Sequence, residues 1–174
     1  DTTASRRQAR RSAPLAAQVM AFKQPISVLV VIYTLQGEVL LLERARQPGL
    51  WQSVTGSREG SEALIDTACR EVFEETGIRV PPAMLQAWSI QNTYEIFTAW
   101  RHRYAPGVTH NTETVFALPL PERQPIQLAA DEHRDFRWLP IVAAEGACFS
   151  WSNRDAIRLL GKAFANAHKA SSSS

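Results

Sequence analysis

Arg70, Glu71, Glu74 and Glu75 form the densest group of residues in the sequence that could do chemistry. They close a stretch, Ser61 to Thr76, whose apolar residues recur at helical period. At about 100° per residue, Leu64, Ile65, Ala68, Cys69 and Val72 share one arc. Glu71 and Glu75 fall on the edge of that arc, in line with Leu64 and Ala68, and Glu74 lies about 100° round from Glu75. Three carboxylates therefore crowd the last turn, where the helix dipole is already negative and Glu71 and Glu75 repel each other at i,i+4 spacing. Each effect costs between a few tenths and about 1 kcal/mol, all have the same sign, and Arg70 can neutralise only one partner. Two arrangements answer this. A hard divalent ion, Mg²⁺ or Mn²⁺, takes oxygen ligands and keeps positions open for phosphate oxygens. Alternatively, the carboxylates form a solvated acidic face with Arg70 bridging to Glu74.

The preceding loop separates the two. Gly56-Ser-Arg-Glu-Gly-Ser-Glu62 places two glycines where the chain turns sharply from a strand into the helix, so the backbone can come close to a ligand or to the helix base. Loop and helix together read Gly56-x5-Glu62-x7-Arg70-Glu71-Val72-x-Glu74-Glu75-x-Gly77-Ile78. A pattern this specified arises by chance in a chain of this length with a probability of order 10⁻⁷. It resembles, at every fixed position, the signature of the Nudix hydrolases. One departure is Ser61, which stands where a glycine is common before Glu62, with Gly60 one place earlier.

The resemblance implies an α/β fold, an α/β/α sandwich with a mixed β-sheet. It also implies hydrolysis of a nucleoside diphosphate linked to another group, by attack of metal-activated water on phosphorus. Under it, Glu71 and Glu75 are expected as metal ligands, Glu74 as a ligand or the general base, and Arg70 as the group that holds them. Gly56 is expected to fix the loop. Downstream, Asp131-Glu132-His133 is similar to the distal acidic segment of the family, with Glu132 as an added ligand or base. Segments outside the signature, among them Trp51–Ser57, Glu95–Phe97, Arg101–Thr109 and Ser150–Arg154, resemble members that act on the triphosphate of a reduced pterin and release pyrophosphate in folate synthesis. By matching segment, Lys23 and Arg44 are expected at phosphate or substrate, and Thr55 lines the site. Tyr94, Glu95, Ile96 and Phe97 border the base pocket, and Ser150, or its neighbours Ser152 and Asn153, closes it. The chemistry agrees: cations suit a polyphosphate, a ring stacks on a flat heterocycle, and a carboxylate accepts from its amino group. A family member that clears free nucleoside triphosphates would share the metal site. A non-catalytic nucleotide-binding module is the remaining rival, and retention of all four charged residues argues against it.

These residues need elements to position them. Ile26–Thr34 is apolar and β-branched almost throughout, the pattern of a strand covered on both faces, and Glu38–Leu42 follows after a turn at Gln36-Gly37. The spacing predicts a strand over Trp51–Thr55 and a helix from Ser61, its N-cap, to Thr76. Gly77 ends that helix in a left-handed conformation, and Pro81-Pro82 forbids continuation. Further strands are expected at Ala87–Phe97, Thr112–Leu118 and Asp135–Leu139, and a terminal helix over Ser152–Lys169. Trp51 and Trp138 are read as core. Residues 1–22 read as a flexible basic leader, 23–169 as the domain, and 170–174 as a disordered end.

Composition excludes several classes. With 174 residues, 45% hydrophobic and 21% charged, the chain has the make-up of a globular domain with a real core. The apolar run Val28–Tyr33 is far short of the roughly 20 residues of a membrane helix. Cys69 and Cys148 make neither a disulfide framework nor a zinc set, which points to a reducing, cytoplasmic setting. The net charge of +2 is a property of the leader, whose four arginines stand against Asp1 alone, so the remainder carries a net −1. A small-molecule substrate is therefore expected, with neither nucleic acid nor membrane as partner.

Overall fold

The computed structural model describes residues 22–173. Its elements are β1 (Ile26–Thr34), β2 (Glu38–Arg44), β3 (Trp51–Gln52), β4 (Val54–Ser57), α1 (Leu64–Thr76), β5 (Gln86–Glu95), β6 (His110–Leu120), β7 (His133–Pro140), α2 (Ile141–Ala147) and α3 (Trp151–Ser171). Seven strands form one sheet in the order β3-β2-β1-β6-β5, with β4 also paired to β1 and β7 to β2. Only β1 and β6 run parallel, in unbroken register from Ile26–Thr112 to Thr34–Leu120, and the other pairs are antiparallel.

The unbroken apolar run of β1 is explained by two cores. Val28, Val30 and Ile32 face α1 through Ala68 and Val72, and the alternate residues Leu29, Val31 and Tyr33 face α2 and α3 through Ala144, Ala156, Ile157 and Leu160. In β2, Leu40 and Leu42 join the first core while Val39 and Leu41 join the second. This is the α/β/α sandwich with a mixed sheet. Trp138 packs against the first core and Trp51 against the second, each half-buried, with Arg137 stacked on Trp51 at 4.5 Å. No helix among the described residues is long and apolar enough to cross a membrane.

Several boundaries differ from expectation. The strand expected over Trp51–Thr55 is broken at Ser53, where Asn153 of α3 accepts from the backbone amide at 2.8 Å and donates to the hydroxyl at 2.9 Å. The first helix begins at Leu64 behind Ala63, which provides no side-chain cap, so Ser61 is not its N-cap. The loop instead turns on itself, with the Glu59 amide donating to the Glu62 carboxylate at 2.8 Å. Gly77 ends the helix as expected, at φ 77°, its amide donating to Phe73. The last helix runs through Ser171, so the end expected to be disordered from residue 170 is helical at its start. The hydroxyls of Ser171, Ser172 and Ser173 bond back to carbonyls of Ala167, His168 and Lys169 and prolong the turn. The basic leader, apart from Phe22, lies outside the described residues, as does Ser174.

Candidate active site

The helix α1 and the loop before it are tied by one guanidinium. Arg70 Nη2 donates to Glu62 Oε1 at 2.6 Å and to the Ser57 carbonyl at 3.0 Å, and its Nη1 donates to Glu71 Oε1 at 2.9 Å and Glu74 Oε2 at 3.2 Å. Sequence spacing suggested a single partner for Arg70. The forked donor set serves more because the loop brings Glu62 back to it from eight residues away. These bonds hold the Glu62 carboxyl down to about 2, and Glu62 in turn is the main cause of a raised Arg70 pKa. The two readings of the acidic turn both have a counterpart: exposed Glu74 bridges to Arg70, whereas Glu71 and Glu75 are buried.

Burial is what makes the latter pair unusual. Burial first, then repulsion from Glu75, pushes the Glu71 carboxyl up to about 8 against the pull of Arg70. Burial likewise raises that of Glu75, which is 3% exposed. Gly56 is essential here through space, not backbone conformation, because a Cβ on it would collide with the carboxylate of Glu71. Glu75 Oε2 lies 3.3 Å from His133 Nε2 and has no hydrogen-bond partner. Ligand atoms of Glu75, Glu132 and His133 lie within 4.8 Å of one another. The buried carboxylate oxygen without a donor and the exposed second carboxylate fit a hard divalent cation, whereas the imidazole is not a ligand that such an ion favours. Glu132 is positioned by a tight turn, its amide donating to Ala129 and its carbonyl accepting from Ala45 at the end of β2. His133 was not anticipated as a candidate ligand, and its adjacency to Glu132 was the only sequence signal for it.

A pH dependence follows. A carboxyl whose folded pKa stands above its unfolded value stabilises the fold fully below about 4.5 and loses that contribution as pH rises through about 8. The metal-free protein is therefore expected to melt at a lower temperature at about pH 9 than at about pH 6, and added Mg²⁺ should close most of the gap with release of protons. Melting curves at both pH values check this, and a pH-independent metal-free Tm contradicts it.

Glu71, Glu74, Glu75 and Glu132 line an open cleft of about 1260 Å³. Lys23, Arg44 and Arg103 line the same cleft, and partial desolvation and then repulsion from Arg103 lower the pKa of both Lys23 and Arg44. Arg44 donates to Gln47 at 2.7 Å and Gln52 at 3.0 Å and stacks on Trp100 at 4.6 Å. Thr55 lines the cleft with its hydroxyl donated to the Val28 carbonyl at 2.9 Å. Of the four residues expected at the base pocket, Ile96 is buried, Glu95 is exposed and paired with Arg101, and Phe97 is 58% exposed, edge-on to Trp100. Tyr94 is half-buried and donates to Glu113 at 3.2 Å. Ser150 lines the cleft while capping α3 by accepting from the Asn153 amide. Ser152 and Asn153 line the cleft as well, and Asn153 is held there by its two bonds to Ser53. The sequence reading missed Glu113 and Asn111, both buried and both lining the cleft.

The model of the NUDIX domain matches residues 23–160. The chain is 48% identical over 139 residues to a dihydroneopterin triphosphate diphosphatase of Escherichia coli, covering 78% of this chain and 91% of that protein. It is 36% identical over 143 residues to a protein of the same description from Haemophilus influenzae, covering 80% and 89%. The solved structure of the E. coli dihydroneopterin triphosphate pyrophosphohydrolase superposes with a TM-score of 0.75 at 45% identity, over 80% of this chain and 96% of that one.

Proposed function

The chain belongs to the NUDIX family of hydrolases, and from that premise we propose that it hydrolyses dihydroneopterin triphosphate to dihydroneopterin monophosphate and pyrophosphate, as a step of folate biosynthesis. The observation that supports this reading most is that the similarity to the diphosphatases runs almost the full length of those relatives, well beyond the signature that every family member shares.

Glu71, Glu75 and Glu132, with His133 beside them, would hold the divalent cation, which we assign as Mg²⁺ with Mn²⁺ as a substitute. When bound, such an ion neutralises phosphate charge and polarises water. The protein's own groups account for the rest. Arg70 locks Glu62, Glu71 and Glu74 to the loop, so the carboxylates are in place before substrate arrives. Glu74, exposed and facing the cleft, takes the proton from the attacking water. Oxygen then bonds to phosphorus, the anhydride bond breaks, and pyrophosphate leaves with the bonding pair. Lys23, Arg44 and Arg103 offset the triphosphate charge. Thr55 lines the phosphate end, and Tyr94, Glu95, Ile96, Phe97 and Ser150 border the heterocycle.

Initial-rate assays with Mg²⁺ on dihydroneopterin triphosphate and, separately, each common dNTP test the assignment. We expect the highest kcat/KM for the pterin, with pyrophosphate released. Equal or better use of a dNTP transfers the activity to control of the nucleotide pool and leaves the metal site as described.

A further inference from the structure

Beyond the carboxylates of α1, the cleft holds a second polar cluster at the strand pair β5–β6. Asn111 and Glu113 stand two residues apart on β6, on the same face of the strand, and both are buried. Asn111 Nδ2 donates to Ser27 Oγ at 2.7 Å and to the Tyr94 hydroxyl at 3.0 Å. The single proton of that hydroxyl goes to Glu113 Oε2 at 3.2 Å, so the phenolic oxygen can only accept from Asn111. This fixes the amide orientation and leaves Asn111 Oδ1 on the other side. The Ser152 hydroxyl supports the same Glu113 carboxylate.

After these bonds are made, two acceptors remain without a donor, Glu113 Oε1 and Asn111 Oδ1. Native proteins rarely leave such atoms unpaired, and here both residues line the substrate cleft. We propose that Glu113, with Asn111 beside it, is the specificity-determining acceptor pair that reads the adjacent N–H and amino donors of an aminopyrimidinone ring, as found in pterin and in guanine. Two free acceptors on one face of β6 can each take one of two adjacent ring donors. They oppose a ring that presents an acceptor there, as adenine does, and they leave an acceptor unpaired against hypoxanthine, which lacks the amino group. Tyr94 is a positioning residue for Glu113, holding Oε2 so that Oε1 stays free for the ring.

The inference deepens the proposed function and rests on it only in requiring a substrate with an aminopyrimidinone ring. Competitive inhibition by dGTP, dITP and dATP, measured against whichever substrate is turned over fastest, reads ring recognition regardless of whether each nucleotide is hydrolysed. In the wild type, dGTP is expected to bind at least about tenfold tighter than dITP or dATP. In Glu113→Gln, where the amide donates towards the ring if its oxygen keeps the Tyr94 bond, this preference is expected to shrink to within about threefold. The loss falls on dGTP, with dITP and dATP little changed. Equal inhibition by dGTP and dITP in the wild type overturns the proposal whatever the variant does, so the wild-type ratio decides even if the variant fails to fold. A folded Glu113→Gln that keeps the ratio, or weakens all three equally, also overturns it. Slow turnover of dihydroneopterin triphosphate with the guanine preference intact would instead remove the pterin as substrate and leave this acceptor pair standing.

Discussion

Glu75→Gln is expected to lower kcat by at least about a hundredfold while the protein stays folded. The side chains are isosteric, and the site is tight, with Glu75 almost wholly buried and its Oε2 set 3.3 Å from His133 Nε2. What the substitution removes is the negative charge. In a low-dielectric setting beside Glu71, that charge is tolerated only because a cation would neutralise it, so the amide weakens metal affinity and the electrostatic stabilisation of the leaving group together. The metal-free variant should melt no lower than the metal-free wild type at about pH 9, because a buried carboxylate has been discharged. Steady-state kinetics at saturating Mg²⁺, paired with thermal melts, make the check. Near-normal turnover in a folded variant would take Glu75 out of the metal site.

The second large effect is expected from Gly56→Ala, the addition of one methyl group. The new Cβ would overlap the Glu71 carboxylate, and that carboxylate cannot simply swing away because Arg70 holds its Oε1 at 2.9 Å. Either Glu71 leaves the guanidinium or β4 shifts away from β1, where Gly56 is paired with Val28. Both displace a candidate ligand by roughly an ångström, which is enough to reduce kcat by about a hundredfold. Gly146→Ala is the matched control: its Cβ would meet nothing within 4 Å and Ala is the better helix former, so activity should remain at the wild-type value and Tm should not fall. Comparable kcat for Gly56→Ala and the control would show that Glu71 has freedom that the structure does not indicate.

The contrast between these two glycines also shows where sequence reasoning reaches its limit. The signature marked Gly56 as a special position, where a sharp turn and a close approach of the backbone to a ligand or the helix base were both expected. Its backbone is in fact ordinary, and the glycine is needed because Glu71 reaches it from the facing helix. Ser61 was a sound N-cap candidate on type and position, yet the loop residues around it are engaged in bringing Glu62 to Arg70, so the helix starts three residues later. Ser150 was placed at the cleft by resemblance, and the structure adds that it caps α3. The short helix α2 was not seen at all, because seven residues give too few repeats for a period to emerge.

Features that depend on near neighbours along the chain were legible in the residues alone. The i, i+3 and i+4 spacing of Glu71, Glu74 and Glu75 follows from helix geometry, the stop at Gly77 from its left-handed φ, and the two-faced burial of β1 from its apolar run. The charge conflict in the last turn of α1 was legible for the same reason. Long-range packing sets which of those carboxylates are buried, brings His133 to Glu75, and joins Tyr94, Asn111, Glu113 and Ser27 in one network. The contacts of that network span 17 to 84 residues of sequence and are set by the register of β6 against β1 and β5. A shift of one residue in that register would turn Asn111 and Glu113 to the opposite face of the sheet, and no property of the individual residues records which face they take.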